Sequence, residues 1–206
     1  MQALPSSNGP DLRLKLGSGG NMSGRGLHIA LTDEEFAIVE AMSPDDIPDY
    51  IVNELEEPKF GTADACETDK SWAYIHSALN GTDPDGPLGL GGAPKGGLLY
   101  RLFGPKPLPD VGAAKFAIIG TRQLVDENDY FVGAVPADQV EMVSACLHLI
   151  PESHLRDRVI AVHAQHSASG EADDAAEYAL GWFPGLLEFY GEAMKSKKNV
   201  IFTVDF

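Results

Sequence analysis

The sequence predicts an α+β fold, a single domain in which several helices cover a small mixed sheet. Three observations carry this. Short runs containing β-branched residues open and close the folded part, at residues 26–31 and 200–204. Helical patterns with recognisable starts lie between them. The resulting order, β-α-α-α-loop-β-β-α-α-β, lacks the regular alternation that a parallel sheet requires.

Taken in order, residues 26–31 (GLHIAL) suit a strand. Thr32 and Glu35 have the spacing of a capping box, so a helix starts there with Phe36, Ile38, Val39 and Met42 as its apolar side. Ser43 followed by Pro44 predicts a second helix carrying Ile47, Ile51, Val52 and Leu55. Asp69 is placed to cap a third helix over 70–79, which Asn80-Gly81 ends. Residues 81–112 then hold nine Gly and six Pro. The leucines that interrupt them make this a packed loop rather than a linker. Residues 115–119 (KFAII) read as a buried strand, and residues 130–132 continue the sheet across a turn at 127–129. Pro136 opens a helix with Val140, Val143, Leu147 and Ile150. A longer helix from about Asp173 carries Tyr178, Trp182, Leu186, Leu187, Tyr190 and Met194, with Gly181 and Pro184 expected to break or kink it.

The chain has 206 residues and a mass of 22.0 kDa, so folding can bury roughly 70% of its surface, ample for one core. Fifteen Lys+Arg against 31 Asp+Glu leave a formal charge of −16. Such a surface repels phosphate, so nucleic acid and anionic membranes are excluded as partners. No apolar run approaches the ~18 residues of a membrane span. Cys66 and Cys146 form neither a CxxC nor a secreted-type framework, and the N-terminus lacks the apolar stretch of a secretory signal. A cytoplasmic protein is expected. Residues 1–21 read as a flexible tail or extension, and the domain as residues 22–206.

Residues 69–81, DKSWAYIHSALNG, resemble the D-K-x-W-x-x-[IL]-H-x-x-L-x-G helix of the YfbM-like bacterial family. Residues 178–204 resemble that family's closing helix and strand, and residues 26–35 fit its opening unit. The resemblance implies a small α+β domain whose activity is not established. It therefore speaks to fold more than to function.

Motifs for chemistry are few. Residues 89–95 (GLGGAPK) lack the G-K-[ST] of a P-loop and the third glycine of a dinucleotide fingerprint, though Lys95 beside backbone N–H groups is suited to an anion. Trp72 and His76 share a helix face. With Asp69, Lys70 and Lys95 they make a pocket candidate under the 86–97 loop, the alternative being ordinary core packing. His163 and His166 fall at i, i+3 in a segment that reads as solvated loop, and no metal or cofactor is expected.

Charge placement is the clearest anomaly. Between Asp33 and Asp69 stand thirteen Asp/Glu and one Lys, a charge of −12 in 37 residues. Charge runs are ordinarily solvated faces, yet one this dense steers basic partners. The expectation is a non-enzymatic protein that binds and blocks a basic protein partner, in the manner of an immunity protein against a co-encoded toxin. Its candidate surface is Asp45, Asp46, Asp49, Glu54, Glu56 and Glu57, with Tyr50 as anchor. The alternative is a small-molecule-binding domain or enzyme built on the Asp69–His76 pocket.

Overall fold

Five strands, β1 (Gly26–Leu31), β2 (Ala65–Asp69), β3 (Arg122–Glu127), β4 (Tyr130–Val135) and β5 (Asn199–Asp205), form one sheet in the order β2-β1-β5-β4-β3. The computed structural model describes residues 24–81, 111–127, 130–166 and 171–205, with the backbone alone for Glu127, Gln165 and His166. The expected tail, most of the 81–112 loop and Lys95 lie outside the described residues. The α+β class holds. The sheet, expected to be mixed, is antiparallel in all four pairings.

Alternation along the strands divides two cores. Leu27, Ile29 and Leu31 of β1 and Ile201 of β5 face one side. Ala30 of β1, with Val200, Phe202 and Val204 of β5, faces the other. Both sides are covered, so the central strands are buried almost throughout. The first face lies under α1 (Asp33–Ala41) and a segment made of α2 (Ile47–Tyr50), a π-helical stretch (Ile51–Glu56) and α3 (Glu57–Lys59). The second lies under α4 (Ser71–Asn80), α5 (Ala137–His148), α6 (Glu152–His166), α7 (Ala172–Lys195) and a 3-10 turn at Gly112–Phe116.

Local signals explain the elements. Thr32 Oγ1 accepts from the Glu35 N–H while the Glu35 carboxylate accepts from the Thr32 N–H, completing the capping box of α1. Gly81 ends α4 in the left-handed region at φ 69°. The buried Arg158 of α6 donates from Nε to the Ala78 carbonyl (2.6 Å) and from Nη2 to the Leu79 carbonyl (3.3 Å). A cation thereby meets the negative end of the α4 dipole.

Five local expectations need correction. The second helix begins at Ile47, three residues after Pro44, because Ser43 and Asp46 close a turn first: Ser43 Oγ donates to Asp46 Oδ2 at 2.8 Å. Residues 115–119 are no strand. Gly112 and Gly120 take φ 58° and 75°, and the apolar side chains between them pack as a tight turn on α5. The edge strands β2 and β3 are short and charged, which protects an edge but hides it from hydrophobic patterning. Residues 152–166 form a helix, so His163 and His166 lie on it rather than in the solvated loop expected for them. Leu155, Val159 and Val162 give the helical spacing, masked in sequence by the buried polar residues Arg158 and His163. Finally, α7 runs unbroken past Gly181 and Pro184, both of which are exposed.

Gly120 brings this turn against β4. A Cβ there would overlap the Ala134 backbone, while the Thr121 N–H donates to the Ala134 carbonyl at 2.8 Å. Gly120→Ala is expected to cost on the order of 1–3 kcal/mol, combining left-handed strain with displacement of the turn. Urea unfolding measures it, and a midpoint equal to wild type would contradict the close approach.

Candidate functional site

The acidic segment forms the outer layer over one sheet face. Ile47, Ile51 and Leu55 point into the sheet at intervals of four, and Val52 points out, 48% exposed. The π-helical winding of residues 51–56 sets that phase. An ordinary α-helical reading puts Val52 inside with Leu55, which is why the sequence expectation for Val52 fails. Tyr50 is half-buried against the sheet core. Ile38, expected inside α1, is 46% exposed, and Phe60 just beyond α3 is 50% exposed. Three of the five exposed large hydrophobic residues described therefore sit on the acidic layer, the others being Met142 and Leu149.

Charges on this layer divide into two groups. Glu35 and Asp64 pair with Lys59, and Asp64 also with Lys198. Glu40 pairs with Arg122, and Glu56 and Glu67 with Arg25. Asp45, Asp46, Asp49, Glu54 and Glu57 are exposed and make no ion pair among the described residues. Of the six candidate carboxylates, only Glu56 is paired among the described residues. The guanidinium that holds it also lies 5.4 Å from the centre of the Phe60 ring, a cation–π contact.

Beside this layer a cleft of about 220 Å³ opens at the end of the sheet, between β1, β4, β5 and the π-helical stretch. Arg25, Glu56, Tyr130, Thr203 and Asp205 supply its polar lining. None of these except Glu56 carried a signal in the sequence, because strand order, not spacing, brings them together.

The helix at Asp69 proves to be a core element. Trp72 and His76 are each 4% exposed. The Trp72 indole N–H donates to the Gly24 carbonyl at 2.9 Å, and its ring packs 5.6 Å from that of Phe202. Asn80 Nδ2 donates to His76 Nδ1 at 3.1 Å, and burial pushes the His76 imidazole down to about 4. Asp69 does not cap α4. It takes the left-handed region at φ 43°, and its carboxylate accepts a hydrogen bond from the Tyr178 hydroxyl of α7. Burial, reinforced by Asp69, pushes that phenol well above its usual range. Lys70 is half-buried at the N-cap position, and its side chain makes no capping bond. His163 lies in α6 with its ring 6.3 Å from Tyr74. Both cysteines are free and half-buried, and burial pushes the Cys66 thiol up to about 12, so it is protonated and unreactive.

The family model described as Domain of unknown function (DUF1877) matches residues 22–203. The chain belongs to this family. As a DUF1877 domain it shares its fold with YfbM of Escherichia coli, whose crystal structure is that of a protein of unknown function. The two superimpose with a TM-score of 0.56 at 17% identity, covering 88% of this chain and 99% of the other. That similarity speaks to fold alone, and it agrees with the likeness already visible in residues 69–81. No curated protein matches the DUF1877 chain. No helix among its described residues is long and apolar enough to cross a membrane.

Proposed function

We propose that this DUF1877 protein is a non-enzymatic binding protein that docks its acidic layer on a basic protein partner and blocks it, as an immunity protein blocks a co-encoded toxin. One observation supports this above the rest. Five carboxylates that make no ion pair among the described residues stand on the same layer as the exposed side chains of Ile38, Val52 and Phe60. Charge accelerates encounter and selects the partner's sign, while apolar anchors hold the complex. Val52 and Phe60 take the anchoring role that the sequence assigned to Tyr50. The cytoplasmic site expected from the cysteines suits such a partner.

Reversal of charge tests the reading. D45K/D46K/D49K is expected to slow association with the partner at least tenfold at low salt, and to leave the unfolding midpoint nearly unchanged because exposed charges contribute only ~0–1 kcal/mol each. Stopped-flow or surface-based kinetics across a salt series would read the first effect, and thermal unfolding the second. An unchanged on-rate would leave the layer as a solvated face only.

A further inference from the structure

We infer that the protein pairs with a second copy of itself through the face made by α5 and α7, each copy laying an apolar ridge of α5 in the other's groove. This is independent of the docking role proposed for the acidic layer. The ridge holds the two large exposed apolar residues that lie away from that layer. Met142 is 51% exposed and Leu149 is 80% exposed. With the exposed Ala145 they recur at i, i+3 and i+7, one stripe along α5 and its C-cap. Beside the stripe a groove of about 540 Å³ opens between α5 and α7. Leu187, Gly191 and Met194, at i, i+4 and i+7 on α7, form its far wall. On the near wall the His148 Nδ1 donates to the Ser144 carbonyl at 2.8 Å. Gly191 keeps the span to that ring open, since any side chain there would start from a Cβ only 3.7 Å away.

Ridge and groove thus stand side by side on one face. A two-fold interface needs that arrangement, because a single patch must supply both halves of the contact. A small ligand in the groove would leave the ridge bare. Charge selects the same occupant. The groove holds Glu188, Glu192 and Lys195, of which the last two pair with each other at 2.6 Å. Its charge is close to balanced, without the excess that draws a basic protein. The carboxylates of α1 and of the segment over residues 47–59 cover the opposite face of the sheet. Two copies joined through α5 and α7 keep those layers outermost, with both sheets between them. That separation exceeds the ~8 Å over which exposed charges act at physiological salt. The contact is small. A helix roughly 18 Å long buries less than the ~800 Å² per partner of a stable interface, so the dimer is weak.

Sedimentation equilibrium of the full chain, from about 5 µM to about 1 mM, tests the pairing. A monomer–dimer equilibrium with a Kd on the order of 10–100 µM is expected. It should hold or tighten as salt rises, because screening relieves the repulsion between two acidic copies. Leu149→Lys should weaken it at least tenfold, although the added positive charge lowers that repulsion. Gly191→Gln, which obstructs the groove and favours the helix, should weaken it several-fold. Leu149→Met should stay within a few-fold of wild type, and D45K/D46K/D49K should pair at least as tightly. In methyl NMR of the wild type, Met142 and Met194 should shift with concentration while Met42 does not. A monomer throughout the range would overturn the second copy as occupant and leave the groove to a small ligand or another protein. A dimer that Leu149→Lys and Gly191→Gln leave intact, or one that weakens steeply with salt, would place the contact elsewhere and overturn this face. None of these results touches association of the acidic layer with a basic partner, so the two ideas fail separately.

Discussion

Acidification from pH 7 to pH 5 is expected to remove about 2 kcal/mol of stability for each of His28 and His76, before carboxylates begin to titrate. Both imidazoles are buried, and burial lowers each from 6.5 to about 4. For His28 the Ala117 carbonyl, which receives its Nε2 proton at 3.1 Å, opposes that shift only in part. The neutral form is the one the fold holds. The unfolded chain therefore takes up protons first as pH falls through 6.5. Stability is complete above that value and declines toward pH 4. Urea unfolding at half-unit steps between pH 7 and 5 measures the slope. His76→Gln should flatten it by about half. A level profile over that window would mean that these rings are hydrated and ionise freely.

Trp72→Ala is expected to cost roughly 3–5 kcal/mol, the range for emptying an aromatic site in a packed core. The ring fills the space between α4 and β5, and a Cβ at Gly26 would fall within 2.5 Å of it. Its N–H also holds the Gly24 carbonyl, fixing the chain where it enters β1. Arg25, next along, carries the contacts to Glu56, Glu67 and Phe60. The substitution should therefore loosen the cleft as well as the core. Chemical denaturation gives the stability, and amide shifts at residues 25–27 report the second effect. A loss under 1 kcal/mol would place the indole at the surface.

Much of the fold was legible in the sequence where local chemistry decides local structure. The Thr32–Glu35 capping box, the Gly81 terminus and the Val140, Val143, Leu147 stripe each fixed an element before any tertiary contact was known. Legibility ended where tertiary structure overrides pattern. Edge strands β2 and β3 contribute backbone hydrogen bonds more than apolar surface, so their charged sequences gave no period. Helix α6 hides its stripe by burying Arg158 against the carbonyls of α4. The apolar run at 115–119 folds as a turn because the flanking glycines reverse the chain.

The candidate site divided in the same way. Asp45, Asp46, Asp49, Glu54 and Glu57 were visible as composition, and they are exposed as a solvated or docking face requires. Tyr50 packs half-buried on the sheet core, while the π-helical winding turns Val52 outward. Trp72 and His76 shared a face as expected, but the face points into the core. Thr203, Tyr130 and Arg25 meet only because the last strand inserts between β1 and β4. No spacing in the sequence encodes that meeting.

The most direct measurement of the account is association with the partner across ionic strength. Wild type, D45K/D46K/D49K and a Val52→Asp/Phe60→Asp variant would be used as baits in extract of the source cell. Kinetics would then be recorded with the purified captured protein from 20 mM to 500 mM salt. Wild type is expected to hold one basic protein, with an on-rate that falls steeply as salt screens the layer. The charge reversal should slow its association, and the anchor variant should speed its dissociation. The same proteins captured by all three baits, with rates indifferent to salt, would contradict the acidic layer as the working surface of this protein.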